Sequence, residues 1–298
     1  GCHVATCDVI AENLERTITQ CREEAPQGVR VTGHLCDVAV EAQVLGFQEE
    51  VAQQHETPHI NLLFNNAGIG GGGSFVDAGR EEWERTFNIC WNGVYLCCRT
   101  FLPMLLASTE GHIVNTSSVN GFRASLGGNI PHTAYSAAKF AVKGFTEALI
   151  NDFRFNAPHL KASVVMPGGV GTDIAINSTR ILGRGSPQDW SDEEIQRMRA
   201  RWTRMGADRG ALGVDERLLE MSNDEIRKAM TERQENYRNI GITPAQAARI
   251  ILDGVKRDHW RILVGKDAEA LDRAVRKDPL HAYNLDFDRF MRAQWDGK

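Results

Sequence analysis

Over the first 166 residues, short β-branched runs alternate with stretches in which apolar residues return every three or four positions. The β-branched runs occupy residues 3–7, 29–35, 60–64, 112–116 and 162–166, and the amphipathic stretches residues 11–22, 40–54, 81–106 and 133–156. Such alternation predicts βαβ units, in which parallel strands are joined by helices that cover a sheet. From about residue 178 to 240, Arg, Asp and Glu are interspersed with Leu, Met and Trp, a pattern that predicts amphipathic helices lying over the body. Ser191 with Glu194, and Ser222 with Glu225, set a hydroxyl three residues before a carboxylate and predict capping boxes. Thr243, Pro244 and Gln246 predict another helix start, residues 261–265 a last strand, and the tail from Asp267 helix and loop. Nothing repeats at a fixed period, so a solenoid is excluded. The pattern reads as one α/β domain over residues 1–298 with a helical insertion at 178–240.

Composition narrows the functional classes. With 42% hydrophobic residues, 24% charged residues and a net charge of −5, the chain is an ordinary globular protein without the basic surplus that drives nucleic-acid binding. No uninterrupted apolar run approaches the roughly 18 residues of a membrane span, and the N-terminus lacks a signal peptide's basic-then-apolar order. A cytoplasmic protein with no membrane partner is expected. The seven cysteines are odd in number and confined to the first third of the chain, which predicts reduced, mostly buried thiols.

Two motifs lose their force in context. His55-Glu56-Thr57-Pro58-His59 matches a zinc-protease string that needs one unbroken helix, and Pro58 breaks it, so no metal site is expected. Gly68-Ile69-Gly70-Gly71-Gly72-Gly73 satisfies a phosphate-loop pattern after a strand, but six residues intervene before the next helical stretch, so it reads as a flexible loop.

Tyr135 and Lys139 lie four residues apart, one above the other on a helix face. Upstream, the apolar run at Ile113-Val114 ends in Asn115-Thr116-Ser117-Ser118, delivering hydroxyls to a strand's carboxyl end, where open α/β sheets bind ligands. Together with Asn65-Asn66-Ala67-Gly68 after one strand and Pro167-Gly168-Gly169-Val170-Gly171-Thr172 after another, this order of motifs resembles the short-chain dehydrogenase/reductase family. The resemblance spans residues 1–175, weakening to 265. It implies a Rossmann-type, doubly wound parallel sheet and an NAD(P)-dependent oxidoreductase that interconverts a secondary alcohol and a ketone. The Leu, Met and Trp residues of the insertion point to an apolar small-molecule alcohol or ketone as substrate, and the long helical stretches at 81–106 and 133–156 resemble those by which family members form a homodimer or homotetramer.

By the same resemblance Tyr135 is the general acid/base, Ser118 holds the substrate oxygen, and Lys139 lowers the Tyr135 pKa and binds the nicotinamide ribose, while Ser117 is structural. Asp8 matches an acidic residue that bonds the adenosine ribose and would repel a 2′-phosphate, favouring NAD over NADP. Asp37 and Val38 match adenine contacts, and Asn65, Ala67 and Gly68 line the cofactor and hold the sheet edge. Pro167, Gly168, Val170 and Thr172 match the loop over the nicotinamide carboxamide, and the insertion is expected to lid the substrate pocket.

The chain departs from the family in two places. It begins at what resembles the second strand, so the first βα unit with its glycine-rich turn is expected to be missing and residues 1–35 to be separated from the rest of the sheet. Aligned on Gly93, a helix asparagine that supports a proton relay in the family falls on Cys90. Asn88 and Asn92 point away from that position unless the helix is distorted. These departures keep a second reading in play, a noncatalytic descendant or inactive fragment that serves as a binding or assembly surface.

Overall fold

The alternating pattern becomes strands and helices in a computed structural model that describes residues 1–76, 79–125, 131–206, 217–284 and 286–287. Strand β1 (Val4–Asp8) leads through α1 (Ala11–Glu24) to β2 (Val31–Leu35) and α2 (Glu41–Gln54). After β3 (Leu62–Asn65) comes one long helical stretch made of α3 (Arg80–Phe87), a π turn at Asn88–Asn92 and α4 (Gly93–Leu106). β4 (Gly111–Thr116), α5 (Thr133–Asn156) and β5 (Leu160–Pro167) follow. The charged insertion holds α6 (Ile174–Ile181), α7 (Asp192–Gly206), α8 (Arg217–Glu220) and α9 (Asn223–Asn236), with residues 207–216 outside the described residues. α10 (Pro244–Lys256), β6 (Arg261–Val264) and α11 (Lys266–Lys277) come last.

Both predicted capping boxes form, and the helix start expected at Thr243 makes a third. The Ser222 and Thr243 hydroxyls accept from the backbone N–H of Glu225 and Gln246. Ser191 Oγ likewise accepts from Glu194 N at 3.2 Å while Glu194 Oε2 accepts from Ser191 N at 2.7 Å. Each box satisfies helix N–H groups that the helix itself leaves unpaired.

The strands are parallel and fall into two pieces, a β1–β2 pair and a four-stranded sheet in the order β3-β4-β5-β6. This is the separation expected from the sequence. β1 pairs only with β2 and β3 only with β4 among the described residues, so the two pieces are joined through side chains. α2 packs on α4, with the Phe47 and Phe101 rings edge to face at 5.3 Å and Gln48 Nε2 donating to Met104 Sδ at 3.1 Å.

The four-stranded sheet is buried on both faces, as parallel sheets usually are. Ile113 and Ala162 pack beneath Phe101, Leu105 and Val142 of α4 and α5, whereas Val114, Val165 and Val264 pack beneath Val255 of α10. All seven cysteines are free, and Cys36, Cys90, Cys97 and Cys98 are buried. Burial pushes the Cys97 and Cys98 thiols up to about 12, so both are inert at neutral pH.

Two sequence expectations need amendment or gain detail. By length and composition the stretch Arg80–Leu106 is long and apolar enough to cross a membrane, although no uninterrupted apolar run marks it; half of its apolar window is buried inside the protein. The His55–His59 string is broken as Pro58 requires: α2 ends at Gln54, Glu56 takes a positive φ of 51°, and His55 Nε2 pairs with Thr32 Oγ1 at 2.8 Å.

Candidate active site

Four strand ends converge at the carboxyl edge of the larger sheet, because Asn65 pairs with Asn115, Thr116 with Val165, and Pro167 with Val264. The backbone leaves β4 extended through Ser118 (φ −170°) and tightens into a helical turn at Val119–Gly121, where Ser118 Oγ accepts from Asn120 N at 3.2 Å. Ser117 Oγ donates to the Lys139 carbonyl at 2.7 Å, fixing this turn against α5 in the structural role expected of it. One helical turn apart on α5, Tyr135 and Lys139 face that junction. The Ser118 side chain lies close enough to the Tyr135 hydroxyl to act on its titration, and Lys139 Nζ lies 5.5 Å from the Tyr135 ring centre. Buried Lys139, only 3% exposed, donates from Nζ to the Thr116 carbonyl at 2.8 Å.

The electrostatics correct one expectation. Burial raises the Tyr135 pKa well above the ordinary tyrosine value, with the Ser118 side chain opposing the rise, so the net shift is upward rather than the downward one expected. Lys139 is itself buried, and desolvation moves its pKa down from 10.5.

Cys90 sits in the π turn, fully buried, and donates from Sγ to the Ile69 carbonyl at 3.2 Å. A Cβ on Gly68 would lie 3.5 Å from Lys139 Nζ and 3.8 Å from Cys90 Sγ, so the thiol and the ammonium flank the same backbone turn. The helix is distorted at Asn88–Asn92, but the distortion does not carry either asparagine to Lys139: Asn92 Nδ2 donates to Asn88 Oδ1 at 2.6 Å.

The remaining candidates divide into two groups. Asn65 is a sheet tie, donating from Nδ2 to Asn115 Oδ1 at 2.8 Å, with Asn115 Nδ2 bonded in turn to Thr146 Oγ1 at 2.9 Å. Val38 is buried, close to Gly93 of α4. Asp37 is held by Arg85 at 2.5 Å and accepts from Ala39 N at 3.0 Å. Ala67 is exposed and Gly68 half-buried at the carboxyl edge. Asp8 stands at the end of β1, its Oδ1 accepting from Ile10 N at 2.8 Å. Pro167, Gly168, Val170 and Thr172 form a half-buried loop in which Val170 bridges to Ile242 and Thr172 Oγ1 accepts from Ile174 N at 3.4 Å.

The glycine run at 68–73 is not the loose loop expected. Gly70 N donates to Ser178 Oγ at 2.8 Å, Gly72 N to Glu82 Oε1 at 3.1 Å, and Thr133 N to the Gly73 carbonyl at 3.1 Å, so the run seats the first turn of α5. Gly72 has φ +66°, and a Cβ there would come within 2.2 Å of Ala134 Cβ, which restricts the position to glycine.

Several residues near the site gave little sequence signal. His132, three residues before Tyr135, is an example: its ring lies 6.2 Å from the Tyr135 ring, burial lowers its pKa, and its Nδ1 is buried without a partner. Asn120 Oδ1 is also buried and unpartnered, while its Nδ2 donates to Ser136 Oγ at 3.2 Å. Tyr237, at the end of the insertion, is close enough to Tyr135 to influence its titration. A polar residue at helical spacing from Tyr135 could have flagged His132, but the contacts of Tyr237 cross a hundred residues of chain.

Known proteins resemble this chain in sequence and in fold. A family model described as short chain dehydrogenase matches residues 1–181. "Putative oxidoreductase SadH" of Mycobacterium tuberculosis is 31% identical over 273 residues, covering 92% of this chain and 80% of that protein. The human "Dehydrogenase/reductase SDR family member 11" is 27% identical over 177 residues, 59% of this chain and 66% of that protein. A short chain dehydrogenase/reductase from Burkholderia phymatum, solved in complex with NAD, superposes with a TM-score of 0.67 at 24% identity, covering 95% of this chain and 87% of that one. With a parallel sheet whose strand ends gather Ser118, Tyr135 and Lys139, and a family model matched over more than half its length, the chain belongs to the short-chain dehydrogenase/reductase family of oxidoreductases.

Proposed function

We propose that the chain interconverts a secondary alcohol and a ketone with NAD, using Ser118, Tyr135 and Lys139. The observation that carries this reading is the gathering of Ser118, at the end of β4, with Tyr135 and with Lys139 Nζ, which lies 5.5 Å from the Tyr135 ring centre and is held on the Thr116 carbonyl. When bound, the nicotinamide supplies or accepts a hydride at the carbon bearing the reacting oxygen. Ser118 Oγ holds that oxygen by hydrogen bonding, and Tyr135 donates its proton to it as negative charge develops. Tyr135 is a phenol at neutral pH, with a proton to give in ketone reduction, and alcohol oxidation should accelerate as the pH rises and the phenol ionises. Lys139 Nζ, now on the Thr116 carbonyl, is positioned to hold the ribose hydroxyls and to stabilise a phenolate.

The residues present fit the two ends of the cofactor. Asp8, with Oδ1 on Ile10 N, has a second oxygen for the adenosine ribose and would repel a 2′-phosphate, which supports NAD over NADP. Thr172 and the residue 167–172 loop supply polar groups for a carboxamide, and Ala67 and Gly68 leave room for a ribose at the sheet edge. α6 to α9 are a lid over an apolar substrate, with Ser178 Oγ on Gly70 N as its fixed base. Exposed Tyr95 of α4 and Phe140 and Phe155 of α5 support association into a homo-oligomer.

The test is reduced-nicotinamide absorbance with a panel of secondary alcohols and ketones, NAD and NADP compared. Turnover with NAD, a Tyr135→Phe variant that binds NADH but is slowed about 10²–10⁴-fold, and Asp8→Ala improving NADP use support the reading. A panel with no turnover favours the noncatalytic reading, to which Cys90 in the π turn lends its one specific support.

A further inference from the structure

The loop at 167–172 carries a contact that no motif reports. At the end of β5, Gly168 N continues the ladder by donating to the Val264 carbonyl at 3.0 Å. The next amide turns away from the sheet, and Gly169 N donates to Asp267 Oδ2 at 2.6 Å. A Cβ on Gly168 would come within 2.2 Å of the same oxygen, so the carboxylate is seated in a notch that a side chain would fill. On its other side the loop is held by backbone alone, Ile242 N to the Gly169 carbonyl at 3.1 Å and Gly171 N to the Ile242 carbonyl at 3.0 Å.

Asp267 stands in the first turn of α11, where the helix dipole favours a carboxylate. α11 is itself firmly placed. Asp272 is bonded by Arg261 at 2.5 Å and Arg276 at 3.0 Å, and Ala268 and Leu271 are buried against Val119, the residue after Ser118. One helix therefore touches the serine turn through its apolar face and the residue 167–172 loop through a charged hydrogen bond.

We infer that Asp267 is a positioning residue that fixes the residue 167–172 loop at a set distance from the Ser118 turn. It rests on the proposed function, in which that loop faces the nicotinamide. Asp267 touches neither reacting atom, and its effect is carried by the orientation of the Gly169 peptide.

The experiment compares Asp267→Ala and Asp267→Asn by amide hydrogen exchange at Gly169 and by titration with NADH. Loss of a charge-assisted hydrogen bond should speed Gly169 exchange roughly tenfold or more in Asp267→Ala. The NADH dissociation constant should rise about three- to tenfold, the smaller effect of a misoriented loop. Asn retains an acceptor oxygen and should largely restore both values, while amides of the Ser118 turn stay as in the parent chain. Should Asp267→Ala fail to fold, Asp267→Ser keeps a polar side chain in the first turn of α11 that is too short to reach Gly169 and gives the same readout. Unchanged Gly169 exchange overturns the inference, as does an equal acceleration throughout β6 and α11, the sign of general loosening. Absence of NADH binding by the parent chain instead rejects the proposed function, while Gly169 exchange still decides the role of Asp267.

Discussion

The two sheets of this molecule are built from similar strands and held in different ways. In the larger one, β4 and β5 have partners on both sides, and Val114, Val164 and Val165 are excluded from solvent. In the smaller one, β1 and β2 have one partner each, Leu35 is 65% exposed, and a small cluster of Leu14, Ile18 and Val31 serves as the core. Ser118, at the end of β4, and Tyr135 and Lys139, on α5, lie on the side of the larger sheet, whereas Asp8, Asp37 and Val38, the residues proposed for the adenosine end, lie at the ends of β1 and β2. The groups proposed for proton transfer thus rest on a four-stranded ladder and the helix packed on it, and those proposed for half of the cofactor rest on a two-stranded ladder joined to the rest through packing such as that of α2 against α4.

The strongest way to break this contrast is at the seam. Phe101 is buried in the larger core and meets Phe47 of α2, so Phe101→Ala should cost about 3–5 kcal/mol, read by urea denaturation, and should loosen both pieces. Ile18→Ala, in the small cluster, should cost about 2–4 kcal/mol locally. It should speed exchange of the β1 and β2 amides while those of Val114 and Val164 remain protected, as in local unfolding. Equal acceleration in both sheets would show one cooperative unit and erase the contrast.

A third test uses pH. Burial raises the Tyr135 pKa above tyrosine's ordinary 10.0, so above that pH the unfolded chain releases a proton that the folded chain keeps. The stability this group contributes is complete below pH 10 and lost as the pH rises toward the folded value. Thermal melts from pH 9 to 11 should fall more steeply for the parent chain than for Tyr135→Phe, a window chosen around that ordinary value. The smallest effect is at a helix start outside both cores. Thr243→Ala removes a capping box and should cost about 1 kcal/mol with no change in either sheet's exchange.

Much of the fold was legible because its signals are local. Strand and helix positions follow from apolar periodicity, and the caps at Ser191, Ser222 and Thr243 from hydroxyl–carboxylate or hydroxyl–amide spacing. The Tyr135 and Lys139 pair is legible for the same reason, since four residues on a helix fix a face. The pKa of Tyr135 was not, because it depends on how deeply the residue is enclosed and on where Lys139 Nζ finds a carbonyl. Nor was the packing of the glycine run, whose partners Glu82, Thr133 and Ser178 lie on three separate helices. Asp267 and Gly169 meet across 98 positions, a separation at which sequence periodicity carries no information.

The most direct test of the central claim follows the hydride itself. The chain is incubated with NADH deuterated at C4 and a panel of apolar ketones, and the alcohols formed are analysed by mass spectrometry. One deuterium at the carbinol carbon with the parent chain, reduced about 10²–10⁴-fold in Tyr135→Phe, is the predicted result. No transfer by the parent chain, or equal transfer by both, would contradict the account.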